Sequence, residues 1–393
     1  MVVHKRLVLA VSLVIIVLFT GGCWDRTEME NRGYVLGGAI DAVLPEAKGR
    51  YDLEKAFQDT GTRRYRLSYS LRKFRTGGGE KAGGSKEESI VYSAEGDSMF
   101  AATRAMWAEA DFGMFLEGMQ VLLVNEEVAS QGVREVFDFF ARNPEMRRRA
   151  KIYVTKGRAE DFLRTNSKNG EIRSLSLAKL NDKKVQTFTT ASEFGYVSEA
   201  LHSKRGFVVP VIYLEGDVFK AAGTAIFNGK GQMMGVAGES EAIGGKMWRR
   251  TIKQGQIVVP NPEKPDGLVV FELLESKVRV KPDFQGDTIR FILEGEFDGN
   301  IGECLPMGEE ALNDKFLQMT AQAVTEELTR HAYAAFQRMK DVRAEGAELG
   351  DIIRRKNPQY WEQIKDRWDD EVFPTTEADV TIKVKIRGTG MIR

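Results

Sequence analysis

Cys23 is the residue best placed to do chemistry. Its thiol follows Gly21-Gly22 directly, at the point where fourteen uncharged residues, Leu7 to Thr20, give way to the polar Trp24-Asp25-Arg26. The second cysteine, Cys304, has no partner if the Cys23 thiol is consumed by such chemistry. It reads as a small buried apolar residue, and no disulfide is expected within the monomer. Of the three histidines, His4 lies in the leader, His202 in a polar segment and His331 in a long helical pattern, where a structural role is expected. No His-Glu-x-x-His, Cys/His cluster or Gly-x-Ser-x-Gly occurs, so neither a zinc site nor an esterase nucleophile is expected. Thr76 to Ser85 carries five glycines, but no Lys stands directly after the last of them, so it reads as a surface loop, not a phosphate cradle. The carboxylate runs Glu309-Glu310 and Asp369-Asp370-Glu371 lack an evident basic partner and read as solvated. Trp361 and Trp368, seven apart, are expected to dock one helix face onto the final domain. No catalytic residue is expected.

The stretch that positions Cys23 has three parts: a basic head, His4-Lys5-Arg6, the apolar run, and the small pair before the cysteine. The run is short for a bilayer span, which wants about 20 residues, and has the layout of a secretory signal. It resembles the lipobox of bacterial lipoproteins, although Thr20 stands where such signals usually carry Leu. The resemblance implies that the Cys23 thiol receives a diacylglyceryl group and that Cys23, N-acylated, becomes the first mature residue. Each buried acyl CH₂ contributes about 0.8 kcal/mol, so such chains form an anchor. An ordinary signal cut nearby or an uncleaved anchor are the alternatives.

Beyond residues 1–22 there remain 371 residues, enough for two or three domains. The whole chain carries 57 basic and 57 acidic side chains; without Lys5 and Arg6 the balance is 55 against 57, a formal charge of −2. That gives no field for nucleic acid, which calls for clustered Lys and Arg. No second apolar run approaches membrane-spanning length. Residues 33–44 read as a buried strand, and 63–75 as a half-exposed one with Tyr65, Leu67, Tyr69 and Leu71 on one face. Helices are predicted at 98–110 and 126–143, with strands at 118–125 and 152–155 and a short helix at 158–164. Residues 175–194 hold a helix or two, and 208–213, 221–227 and 233–237 are short strands. Near the end, strands at 268–281 and 288–297 flank a turn at 282–286. A long helix, 308–345, with a stripe of Leu312, Phe316, Met319, Ala323, Leu328, Ala335 and Met339 precedes helical pieces at 351–356 and 361–369 and a strand at 376–388. The predicted class is α+β and multi-domain: a mixed sheet with packed helices first, an antiparallel sheet with one long helix last. The expected divisions are a signal at 1–22, an N-terminal α/β-type domain at 23–200, a small β-rich unit at 201–260 and a C-terminal α+β domain at 261–393.

Three stretches together resemble one family. They are Cys23-Trp24-Asp25-Arg26 with Glu28, Asn31 and the strand carrying Asp41; Leu122-Leu123-Val124 through Arg142-Asn143-Pro144-Glu145-Met146-Arg147; and Lys356-Asn357-Pro358 with Trp361, Trp368 and Phe373. In this order they resemble the Ger(x)C spore-germination lipoproteins, the C subunits of germinant receptors. The resemblance implies a non-enzymatic lipoprotein on the outer face of the spore inner membrane. It implies a complex with two polytopic partners, the A and B subunits, and no cofactor beyond the lipid on Cys23. The alternative from another class is a lipid-anchored extracytoplasmic solute-binding protein, which would fold as two doubly wound lobes around a cleft.

Overall fold

The computed structural model describes residues 32–43, 64–72, 89–110, 112–165, 172–180, 192–264, 266–286, 288–306 and 313–388. The leader with Cys23, the loops at 76–85 and 166–170, Glu309-Glu310 and Leu312 lie outside the described residues.

The first unit is one nine-stranded sheet. Its strands are β1 (Arg32–Ala42), β2 (Tyr65–Arg72), β3 (Ser89–Gly96), β4 (Gly113–Phe115), β5 (Val121–Asn125), β6 (Lys151–Lys156), β7 (Phe207–Glu215), β8 (Val218–Phe227) and β9 (Met233–Ala237). They run in the order β3-β2-β1-β5-β6-β7-β8-β9, with β4 also on β1. β1, β5, β6 and β7 are mutually parallel, and antiparallel strands flank them on both sides. The helices between them are α1 (Met99–Glu109), α2 (Glu126–Gln131), α3 (Arg134–Arg142), α4 (Ala159–Arg164), α5 (Arg173–Ala178) and α6 (Phe194–His202). One sheet face, with Leu122, Val124, Ile152 and Val154, packs on Met99 and Met106 of α1, Val128 of α2, Phe137 and Phe140 of α3 and Val197 of α6. The other, with Val121, Leu123 and Tyr153, packs on Phe162, Leu163 and Leu177 of α4 and α5. Burial on both faces is why β5 reads as an unbroken apolar run. β2 was expected to be half-exposed, yet Ser68 and Ser70 on its polar side are as buried as Leu67 and Tyr69. It lies between β1 and β3.

The expected helix at 126–143 is two. Gly132 adopts φ +124°, and the Val133 N–H turns away to donate to the Gly231 carbonyl at 2.9 Å. Only glycine takes that backbone conformation without strain.

The second unit begins with α7 (Glu239–Trp248) and a four-stranded sheet, β10 (Gly255–Pro260), β11 (Leu268–Gln285), β12 (Thr288–Leu305) and β13 (Glu377–Gly388), in that order. Across it lies α8 (Asp314–Asp341), followed by α9 (Leu349–Lys356), α10 (Pro358–Ile364) and a tight turn region to Thr375. The α8 stripe is Phe316, Thr320, Val324, Leu328, Ala335 and Met339, with Met319 and Ala323 at its margins. β11 continues past the expected turn to Gln285, and Gly286, at φ +61°, opens the reversal. The sheet is not wholly antiparallel. β13 runs parallel to β12, because α8 carries the chain back along the sheet before it re-enters. An α+β architecture results, with no second doubly wound lobe among the described residues.

Residues 201–260 do not form a sheet of their own. β7, β8 and β9 extend the large sheet, and β10 edges the small one. The reason is two-sided burial. Phe207, Val209 and Phe227 face the first core, while Val208, Ile226 and Ala237 on the alternate side join the second, with Met247, Trp248, Ala335 and Met339. A short three-stranded sheet that buries both faces needs partners on both. The contact of α7 with α8 is close because Gly244 leaves no side chain there: a Cβ would lie 1.9 Å from the His331 carbonyl oxygen. Trp248 closes the same seam, its indole N–H donating to the Ala332 carbonyl at 2.8 Å and its ring 5.0 Å from Phe336.

Candidate functional site

The residues singled out for chemistry are scattered. Cys304 is half-buried, Asn261 Nδ2 lies 3.5 Å from its sulfur, and burial pushes its thiol pKa up, away from the reactive thiolate. His202 is exposed at the end of α6. His331 is buried, its Nδ1 2.5 Å from Ser240 Oγ and its Nε2 3.2 Å from Glu327; burial lowers its pKa. No group of three or more metal-ligating side chains occurs among the described residues. Trp368 is buried in the second core, with Trp361 edge-on at 5.6 Å. In the run Asp369-Asp370-Glu371, Asp370 and Glu371 are exposed as expected but have basic partners, Lys230 at 3.2 Å and Arg367 at 3.4 Å, while Asp369 is drawn inward.

What the fold does assemble is a charged joint between the two units. Arg205 precedes β7, Arg249 and Arg250 close α7, and Glu345 and Glu348 link α8 to α9. Glu348 lies 3.1 Å from Arg205, 3.7 Å from Arg250 and 4.0 Å from Arg249, and Arg205 also reaches Asp351 at 3.4 Å. The guanidiniums of Arg205 and Arg249 stand 5.3 and 5.0 Å from the centroid of the Tyr196 ring, a cation–π arrangement. Tyr196 Oη and Arg249 Nε and Nη1 are buried, with no hydrogen-bond partner among the described residues. Arg250 and Glu348 both adopt left-handed backbone, at φ +60° and +62°. Such conformations are costly for non-glycine residues and persist where surroundings hold them.

Glu345 is 2% exposed. Its carboxylate accepts the Ala347 N–H at 2.5 Å and the Gly350 N–H at 3.2 Å, capping the start of α9. Burial, with Asp369 nearby, outweighs those donors and raises its pKa to about 7. Asp369 ties the units directly: Oδ2 accepts the Gly229 N–H at 2.9 Å and Oδ1 the Glu345 N–H at 3.3 Å. Gly229 is required there, since a Cβ would lie 2.3 Å from the Lys204 carbonyl oxygen.

A second polar cluster sits at the end of β1. Asp41, 3% exposed, accepts the Ala159 and Glu160 N–H groups at 2.6 and 3.0 Å and so caps α4. Glu160 meets Arg66 and Arg158 at 2.8 Å and Arg164 at 2.6 Å, and accepts from Ser93 Oγ at 2.9 Å. Burial would raise its pKa, but these donors lower it to about 2. Both clusters fix backbone and orient elements. Neither sets a nucleophile against a base. Sequence reading reached Asp41 and Asp369 and missed Tyr196, Arg205, Arg249, Glu345 and Glu348, whose partners are remote in the chain.

Comparison with known proteins matches two family descriptions in sequence. "Spore germination protein N-terminal domain" covers residues 25–214, and "Spore germination B3/ GerAC like, C-terminal" covers residues 222–390. Among curated relatives, spore germination protein YndF of Bacillus subtilis is 25% identical over 97% of this chain and 96% of its own length. Spore germination protein KC of the same organism is 22% identical over 98% and 97%, and spore germination protein B3 is 22% identical over 94% and 95%. The crystal structure of the GerBC protein superposes with a TM-score of 0.57 at 20% identity, covering 82% of this chain and 93% of that one.

Proposed function

The chain belongs to the spore germination B3/GerAC-like family, and from that membership we propose that it is the lipid-anchored subunit of a spore germinant receptor. In this reading it is held on the outer face of the spore inner membrane by acyl groups on Cys23. It works without catalysis, as a scaffold for two polytopic subunits. The observation that carries the reading is the pair of family matches, which run in order over nearly the whole chain and begin two residues after Cys23. Support also comes from the joint, whose ion pairs and shared core hold two sheets as one surface. No helix among the described residues is long and apolar enough to cross a membrane.

Replacement of Cys23 by Ala tests the anchor. The expected outcome is loss of the chain from the spore membrane fraction together with impaired nutrient-triggered germination, while near-ultraviolet circular dichroism of the purified chain stays native. Germination at the wild-type rate with the chain in the aqueous fraction would refute the reading.

A further inference from the structure

The inner face of α1 is ordinary: Met99, Ala102, Thr103 and Met106 are buried. Its outer face is not. A surface helix normally turns charged and polar residues to water, but here the exposed positions are Phe100, Ala101, Arg104, Ala105, Trp107, Ala108 and Glu109. Phe100 is 58% and Trp107 49% exposed, and they lie seven residues apart on one side of the helix. Arg104 stands between them, its guanidinium 5.1 Å from the Phe100 ring centroid, and Phe139 of α3 extends the patch at 6.4 Å from Phe100.

We infer that this face of α1 lies against the phospholipid surface. The inference rests on the proposed anchor at Cys23. Only eight residues, 24–31, separate Cys23 from the start of β1. At about 3.3–3.6 Å each they reach roughly 30 Å at most. Arg32, where β1 starts, pairs in register with Gly113, four residues beyond the end of α1. Trp107, in the last turn of α1, therefore sits at the end of the sheet from which the tether leaves. The chemistry fits a bilayer interface: Trp and Phe rings partition to the headgroup level, and an intervening Arg meets phosphate. The size argues against a second copy. An eleven-residue helix is about 16 Å long, and its outer strip falls well short of the roughly 800 Å² per partner of a stable protein interface. For a chain already tethered, a small contact suffices, because the second attachment is effectively intramolecular.

The test uses the full acylated chain in phosphatidylglycerol–phosphatidylethanolamine vesicles, with Cys304→Ser and a nitroxide at Ala105→Cys. A nitroxide at Lys383→Cys, on the exposed face of β13, serves as reference. The expected result is an oxygen-to-nickel accessibility ratio several-fold higher at 105 than at 383, abolished by Phe100→Ser with Trp107→Ser. If the chain floats with the vesicles but both labels are equally open to nickel, the inference fails and the anchor stands. If the chain does not float, the anchor has failed and the inference with it. Spin–spin broadening between labels at 105, or protection that arises only when polytopic subunits are added, gives this face to protein and overturns it.

Discussion

Glu160 and Glu345 are both buried carboxylates, and they pull the pH dependence of stability in opposite directions. Glu160 has a folded-state pKa lowered from 4.5 to about 2. The unfolded chain binds its proton more tightly, so its contribution is whole above pH 4.5 and is lost as pH falls toward 2. Glu345 has its pKa raised from 4.5 to about 7. The folded chain holds that proton more tightly, so its contribution is whole below pH 4.5 and is lost as pH rises through about 7. Urea midpoints between pH 5 and 8 are expected to fall with rising pH, and Glu345→Gln to flatten that slope; an unchanged slope would show that Glu345 does not titrate there. Glu160→Gln removes charge-assisted hydrogen bonds to three arginines and is expected to cost about 1.5–3 kcal/mol at pH 7. The difference from wild type should shrink at pH 3. Neither residue stood out in the sequence. Glu160 is one of two acidic residues in a short helix, and what sets it apart is Arg66, 94 positions away. Asp369 looked like part of a solvated run because Gly229 and Lys230, its run's partners, lie 140 positions away.

Element periods were legible where one face dominates. α8 shows its stripe because it lies across a sheet and buries one side. β13 shows Val380, Ile382, Val384 and Ile386 for the same reason, with Lys383 and Lys385 outward. The break at Gly132 was not legible, because residues on both sides keep a helical period and a distant carbonyl at Gly231 turns the Val133 N–H. The seam between α7 and α8 makes two predictions at this scale. Gly244→Ala forces a methyl into the His331 carbonyl and is expected to destabilise by about 1–3 kcal/mol. Trp248→Ala empties a fully buried site and is expected to cost about 3–5 kcal/mol. Urea unfolding of each variant checks these values; a loss under about 1 kcal/mol for Trp248→Ala would mean the seam is not part of the core.

At the scale of the whole chain, two hydrophobic cores meet on opposite faces of β7, β8 and β9, and a half-buried charged joint locks what that wall begins. The separate middle unit expected at 201–260 dissolved because periodicity reports that a strand is buried on both faces but not which two layers bury it. The α+β class was legible in the order of the elements. The proposed function turns on this shared surface being carried to a membrane and used there by protein partners. Affinity capture of the tagged chain from detergent-solubilised spore inner membranes tests that most directly. The account predicts co-recovery of two polytopic membrane proteins with the chain, lost in the Cys23→Ala variant. Recovery of the chain alone, or with the permease and ATPase of a transporter, would contradict it.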